Sequence, residues 1–156
     1  MKIGFFAGSF DPFTIGHLFV AKSASEIFDK VIIGIGVNEN KTRRFDKQKM
    51  KAAIEEDFKR LKITNVAVMI YEGYTVDAAK KMSATVLVRG VRNQEDFENE
   101  EKLATANKEL SGIETIYFRT GEYGFVSSTM VFEKLKNGES VENLVPPAVL
   151  KLITEK

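Results

Sequence analysis

Two regimes of apolar patterning alternate along this chain: short uninterrupted apolar runs, and longer stretches in which apolar residues recur every three or four positions. Lys2-Ile3-Gly4-Phe5-Phe6-Ala7 is the first run and Lys30-Val31-Ile32-Ile33-Gly34-Ile35-Gly36-Val37 the second. Both predict strands buried on two faces. Ile63 to Tyr71, with Val66, Val68 and Ile70 alternating, predicts a third strand. Ala84 to Val88 predicts a fourth, ending at Arg89-Gly90-Val91-Arg92, and Ile113 to Phe118 a fifth. The intervening stretches have helical spacing. Leu18, Phe19, Val20, Ala21, Ala24, Ile27 and Phe28 form the first, and Met50, Ala53, Ile54, Phe58 and Leu61 the second, behind a capping Asp46. A short helix starts near Thr75 and runs through Ala78, Ala79 and Met82; a long polar one spans about Asn93 to Leu110. Ser127 caps a helix to about Lys136, closed by Asn137-Gly138, and Pro146-Pro147 opens a last short one. This alternation predicts an α/β fold with a doubly wound, parallel, five-stranded sheet. No linker, repeat or change of composition divides the chain, so residues 1–156 read as one domain.

In such sheets ligands bind beyond the carboxyl ends of the strands. The unusual residues all fall there. Gly8-Ser9-Phe10-Asp11-Pro12-Phe13-Thr14-Ile15-Gly16-His17 links the first strand to the first helix and holds the only histidine. Its glycines allow close backbone approach, Ser9 and Thr14 offer hydroxyls, and a helix N-terminus offers free N–H groups to an anion. Thr14 as N-cap places His17 in the first turn. Asn38 to Arg44, after the second strand, carries Lys41, Arg43 and Arg44, which suit a solvated surface and a phosphate-facing loop equally. Arg89 and Arg92 flank Gly90, and guanidinium forks fit phosphate oxygens. Asp96 and Glu100 lie one helical turn apart, on the same face as Phe97, in an otherwise solvated acidic helix start. Ser127-Ser128-Thr129 puts three hydroxyls at a helix start, more than a cap requires.

G-S-F-D-P-x-T-x-G-H resembles the T/H-x-G-H signature of the nucleotidyltransferase superfamily. Together with T-V-D-A-A at Thr75 to Ala79, V-R-G-V-R followed by D-F-E-x-E at Val88 to Glu100, and Y-G-F-V-S-S-T at Tyr123 to Thr129, it is similar to the bacterial phosphopantetheine adenylyltransferase family across nearly the whole chain. The resemblance implies a Rossmann-like nucleotidyltransferase fold and transfer of AMP from ATP, with magnesium, to 4′-phosphopantetheine. It implies catalytic roles for His17 and Lys41. Ser9, Lys41, Thr75 and Arg89 would hold the acceptor. ATP would be held by Ser9, Phe10, His17, Gly90, Val91, Arg92, Glu100, Tyr123, Gly124, Phe125, Val126, Ser127, Ser128 and Thr129. A homohexamer and inhibition by coenzyme A are further implications. The chain departs from the usual pattern at Thr129, where a third serine is common, and at Asn93-Gln94-Glu95 and Asn99.

The chemistry points the same way. The acceptor's phosphate is a ready nucleophile, so the protein needs to position groups and neutralise charge at the α-phosphate rather than attack it. Cysteine is absent, which removes disulfides, thiolate metal sites and thiol nucleophiles. No protein-held metal site is expected. Lys plus Arg is 23 against 22 for Asp plus Glu, giving a net charge of +1 and no basic footprint for nucleic acid. No apolar run approaches a membrane span and the start is not a signal peptide, so the expected compartment is the cytoplasm. Two other classes fit less of the pattern. A nicotinate-mononucleotide adenylyltransferase shares the start and S-S-T, but usually has an arginine where Met130-Val131-Phe132 follows here. A non-catalytic nucleotide-binding protein is the other; losing His17 or Lys41 would favour it, and both are present.

Overall fold

The computed structural model describes residues 1–155. Five strands, β1 (Ile3–Gly8), β2 (Lys30–Val37), β3 (Val66–Glu72), β4 (Val86–Val91) and β5 (Glu114–Arg119), form one parallel sheet in the order β3-β2-β1-β4-β5. Strand order reverses at β1, which pairs with both β2 and β4. The crevice expected there opens at the carboxyl ends of β1 and β4.

Among the described residues six α-helices cross between or follow the strands, α1 (Ile15–Ile27), α2 (Lys47–Arg60), α3 (Thr75–Lys81), α4 (Gln94–Ser111), α5 (Ser128–Lys136) and α6 (Pro147–Thr154), with one 3-10 turn at Gly121–Tyr123. Except at α3, their starts are set by side chains that take up orphan N–H groups. Asp46 accepts from Lys49 N, Asn93 from Asp96 N and Ser127 from Met130 N. At the start of α6, buried Asp57 of α2 accepts from Ala148 N at 2.9 Å and Val149 N at 3.3 Å. A carboxylate at a helix N-terminus is stabilised by the dipole as well as by those bonds. Asp57 thereby docks the last helix onto the second.

The sheet's two faces are covered unequally. One carries Phe6, Ile33, Ile35 and Val88 under Val20, Ala24, Met50, Ile54, Phe58, Val131, Val149 and Ile153 from α1, α2, α5 and α6. The other carries Phe5, Ala7, Ile32 and Leu87 under Val76, Ala78 and Ala79 of α3, and α4 buries none of its residues.

Element types match the apolar pattern, with two shifts at the ends. β3 begins at Val66, three residues later than expected. β4 runs on through Arg89, Gly90 and Val91, which the sequence placed just beyond the strand. The cause is β5, whose Tyr117, Phe118 and Arg119 continue the ladder against those three residues. Gly90 serves packing here: a Cβ on it would lie 2.8 Å from Val20 Cγ2 of α1.

Candidate active site

Thr14 and His17 close a reciprocal capping box at the start of α1. His17 N donates to Thr14 Oγ1 at 3.3 Å, and Thr14 N donates to His17 Nδ1 at 3.0 Å. Because Nδ1 accepts, the neutral ring carries its proton on Nε2. Burial, then the Arg89 and Arg92 charges, lower the His17 pKa from 6.5 to about 3. The imidazole is therefore a neutral hydrogen-bond donor at physiological pH and a poor base. Phe6, Phe10 and Phe13 surround the ring, with Phe10 edge-on at 4.9 Å between centroids.

His17 lines a cavity of about 290 Å³ at the crevice, together with Ser9, Phe10, Arg89, Gly90, Arg92, Glu100, Tyr123, Val126, Ser127 and Ser128 from the expected set. Thr14, Asp96 and Thr120 join them. Thr75 lies elsewhere, in a neighbouring cavity of about 220 Å³ with Phe5, Tyr74, Leu87, Leu103, Asn107 and Thr115. Ala7, Arg89 and Glu100 line both cavities. Lys41 is exposed on its loop and borders neither, as do Val91, Gly124, Phe125 and Thr129. Phe125 is 64% exposed. Val91 O accepts from Thr120 N at 3.3 Å, which ties β4 to the loop after β5.

Several side chains do something other than what their types suggested. Phe10 is only 2% exposed and packs its ring into the core, so only its backbone is available to a ligand. The Arg89 fork is already occupied. Nε and Nη2 donate to Glu100 at 2.8 and 2.7 Å, and Nη1 donates to the Ala7 carbonyl at 2.7 Å. Burial alone would lower the Arg89 pKa; the hydrogen bonds and charge of Glu100 outweigh it and hold the guanidinium above its ordinary value. Two N–H groups, one on each terminal nitrogen, remain for a ligand. Arg92 is paired more loosely, its Nε 3.5 Å from Asp96 Oδ2.

The three hydroxyls at the start of α5 are also divided. Ser127 caps the helix, Ser128 Oγ donates to Pro12 O at 2.7 Å, and Thr129 Oγ1 accepts from Arg44 at 3.2 Å. What remains for an anion is the backbone: neither Ser128 N–H nor Thr129 N–H has an acceptor among the described residues. Behind the second cavity's Thr75, Tyr71 shares a 2.8 Å hydroxyl bond with it. Burial raises the Tyr71 phenol above its usual pKa, against the opposing pull of Thr75 and Arg89. The buried Thr115 Oγ1 has no hydrogen-bond partner among the described residues. The sequence reading passed over Tyr71, Asn107 and Thr115, because each sits in a run that reads as ordinary strand or solvated helix. It also left Asp11 without a separate role, although a lone acid between Phe10 and Pro12 inside the turn was a usable signal.

The description cytidylyltransferase-like fits residues 5–134 as a family model. A phosphopantetheine adenylyltransferase from Flavobacterium johnsoniae is 43% identical over 150 residues, covering 96% of this chain and 97% of the relative. The chain belongs to the phosphopantetheine adenylyltransferase family. Phosphopantetheine adenylyltransferases from Synechocystis and Lachnoclostridium phytofermentans are 42% and 39% identical over 95% and 100% of this chain, and over 93% and 96% of their own lengths. As a member, the chain is a nucleotidyltransferase. A solved structure from Vibrio parahaemolyticus, provisionally named a nicotinate-nucleotide adenylyltransferase, superposes with a TM-score of 0.73 over 98% of this chain and 92% of its own. At 21% identity that likeness shows the shared nucleotidyltransferase fold.

Proposed function

We propose that the chain transfers the adenylyl group of ATP to 4′-phosphopantetheine, giving dephospho-coenzyme A and pyrophosphate in coenzyme A biosynthesis. Two adjoining cavities that meet at the Arg89–Glu100 pair carry this reading. ATP occupies the first, where His17, Arg92 and the α5 N-terminus lie. The acceptor's chain occupies the second, whose apolar floor of Phe5, Leu87 and Leu103 is punctuated by Asn107 and the orphan Thr115 hydroxyl. A flexible amide-bearing arm suits that mixture. Its phosphate reaches Arg89 at the junction.

An acceptor phosphate oxygen attacks the α-phosphorus, the bond to the β-phosphate's bridging oxygen breaks, and pyrophosphate leaves with that electron pair. The nucleophile is already ionised, so no base is required. A histidine with a pKa near 3 fits a donor to developing charge, through Nε2–H, better than it fits a base. Lys41, which borders neither cavity in this conformation, would meet the phosphates by movement of its exposed loop, and the free Ser128 and Thr129 N–H groups meet them at the start of α5. No group of three or more His, Cys, Asp or Glu side chains that could hold a metal occurs among the described residues, and both cavity carboxylates, Asp96 and Glu100, face arginines. Magnesium would accompany ATP as its complex and supply charge neutralisation at the phosphates.

The same reading includes three coarser expectations. α4 buries no residue and leaves Phe97, Leu103 and Leu110 exposed, an apolar surface that fits self-assembly, and the assembly expected is a homohexamer. Coenzyme A carries both halves of the product and would compete for both cavities. No helix among the described residues is long and apolar enough to cross a membrane, and a cytoplasmic location is consistent with that.

The test is pyrophosphate release from magnesium–ATP with 4′-phosphopantetheine or nicotinate mononucleotide as acceptor. Release with the first alone is expected; release with the second alone overturns the reading. Labelled pyrophosphate should not exchange into ATP when acceptor is rigorously absent, because direct transfer forms no adenylyl-enzyme.

A further inference from the structure

Phe10 adopts φ +47°, in the left-handed region that a bulky side chain rarely enters. Such a conformation persists only where its surroundings over-determine it. Here two consecutive arginines on the opposite loop grip three successive carbonyls. Arg43 Nη1 donates to Ser9 O at 2.7 Å and Nη2 to Phe10 O at 3.4 Å, while Nε donates to Phe45 O at 3.1 Å. Arg44 Nη1 donates to Asp11 O at 3.1 Å. The Asp11 carboxylate answers by accepting from Arg44 N at 2.7 Å and Phe45 N at 2.9 Å, with Arg43 Nη2 3.5 Å away. Arg44 then reaches Thr129 Oγ1 on α5 and lies 4.8 Å from the centre of the Phe132 ring.

We infer that Arg43 and Arg44 are positioning residues for nucleotide transfer: they lock the Ser9–Asp11 turn in its ligand-facing conformation and tie it to the Lys41 loop and to the α5 N-terminus. The geometry follows from the peptide group. Its C=O and N–H point in opposite directions, so anchoring the Ser9 carbonyl on Arg43 turns the Phe10 N–H away from the loop. That N–H has no acceptor among the described residues, and Ser9 and Phe10 line the nucleotide cavity. The clasp also fixes residues 43–45, so Lys41 hangs from an anchored base. A planar guanidinium spans two carbonyls where an ammonium cannot.

The inference rests on nucleotide binding in the first cavity and is independent of which acceptor is used, so ATP titration judges it even if the acceptor assay fails. In 15N-labelled protein, magnesium–ATP should shift the Phe10 amide resonance; a silent Phe10 amide overturns the inference. Arg43→Met should lower kcat on the order of tenfold to a hundredfold while a cooperative thermal transition persists, and Arg43→Lys should not restore it. Wild-type kcat in folded Arg43→Met, or full recovery in Arg43→Lys, overturns the positioning role. Should Arg43→Met fail to fold, Arg44→Met at the surface decides. It should raise the ATP KM several-fold and weaken the Phe10 response, and wild-type behaviour in both refutes the clasp.

Discussion

The two faces of the sheet are built differently, and the difference maps onto the two halves of the proposed substrate site. Under α1, α2, α5 and α6 the core is deep: Phe13, Ile33, Ile35, Met50, Ile54, Val131 and Val149 are completely buried. That face ends in the nucleotide cavity, where His17 is held by a capping box and ringed by phenylalanines. Under α3 and α4 the core is a thin layer, and the space between those helices is the second cavity. On the proposed reading, catalytic groups hang from the rigid face, while the face with spare volume would receive the flexible substrate. Preorganised donors need a support that does not yield as charge develops; an extended arm needs only room and a few polar contacts.

Matched truncations on the two faces break this comparison most directly. Ile54→Ala removes a fully buried side chain of α2 and should cost about 2–5 kcal/mol in denaturant unfolding. Leu103→Ala, 47% exposed on α4, should stay within about 0.5 kcal/mol yet raise the acceptor KM several-fold. Equal stability losses would show that the thin layer carries as much of the fold as the deep one. His17→Ala should fold and lose roughly 10²-fold or more in turnover, as removal of an oxyanion donor does. Near-normal turnover would reduce the capping box to a structural device.

Arg89 tests the junction. Because it lines both cavities and is bound to Glu100 and Ala7, Arg89→Ala should weaken both ligands, the acceptor more, with a loss in kcat/KM on the order of 10- to 100-fold. Binding titrations that show ATP alone affected would move the acceptor phosphate away from the junction.

How much of this was legible in the sequence depended on whether a residue's role was local. All five strands could be read, helped by runs such as Val31 to Ile35, which are buried on both faces and say so in composition. The caps Thr14, Asp46 and Ser127 act within three residues and were equally plain. Partners across the fold were hidden. Nothing in Arg89-Gly90-Val91-Arg92 shows that β5 extends the ladder, or that Glu100 fills the Arg89 fork. Lys41, Arg43 and Arg44 look alike in sequence; what separates them is reach to Asp11, thirty-odd residues earlier. Gly34 and Gly36 carry no nucleotide fingerprint because their task is steric: a Cβ on Gly34 would collide with the Phe5 ring, and one on Gly36 would meet the Tyr71 hydroxyl at 3.0 Å.

Acid should sharpen the contrast between the faces. His17 has its folded pKa lowered to about 3 from 6.5, so the unfolded chain takes up this proton first as pH falls. Stability attributable to the neutral ring is whole above 6.5 and is lost between 6.5 and about 3, with a slope approaching ~1.4 kcal/mol per pH unit. Unfolding of wild type and His17→Gln measured from pH 7 to pH 4 should show the wild type losing ground progressively. Parallel curves would mean that the ring is protonated in the native state near its ordinary pKa.

The smallest effect on catalysis is expected at Tyr71, and it isolates alignment on the thin face from packing. The Tyr71 ring meets Phe5 edge-on at 5.6 Å, and Gly34 and Gly36 leave it space. Its hydroxyl holds Thr75, the first residue of α3, at 2.8 Å, so the phenol sets where α3 begins beside the second cavity. Tyr71→Phe keeps the ring and deletes that single bond, a net loss of about 0.5–1.5 kcal/mol in stability. The acceptor KM should rise a few-fold, with the ATP KM and kcat unchanged, since His17 and the first cavity rest on the other face. Thr75→Val should reproduce the effect, and the double variant should add little, because both changes remove the same contact. Additive losses would mean that Thr75 meets the acceptor through its own hydroxyl rather than through the position Tyr71 gives it.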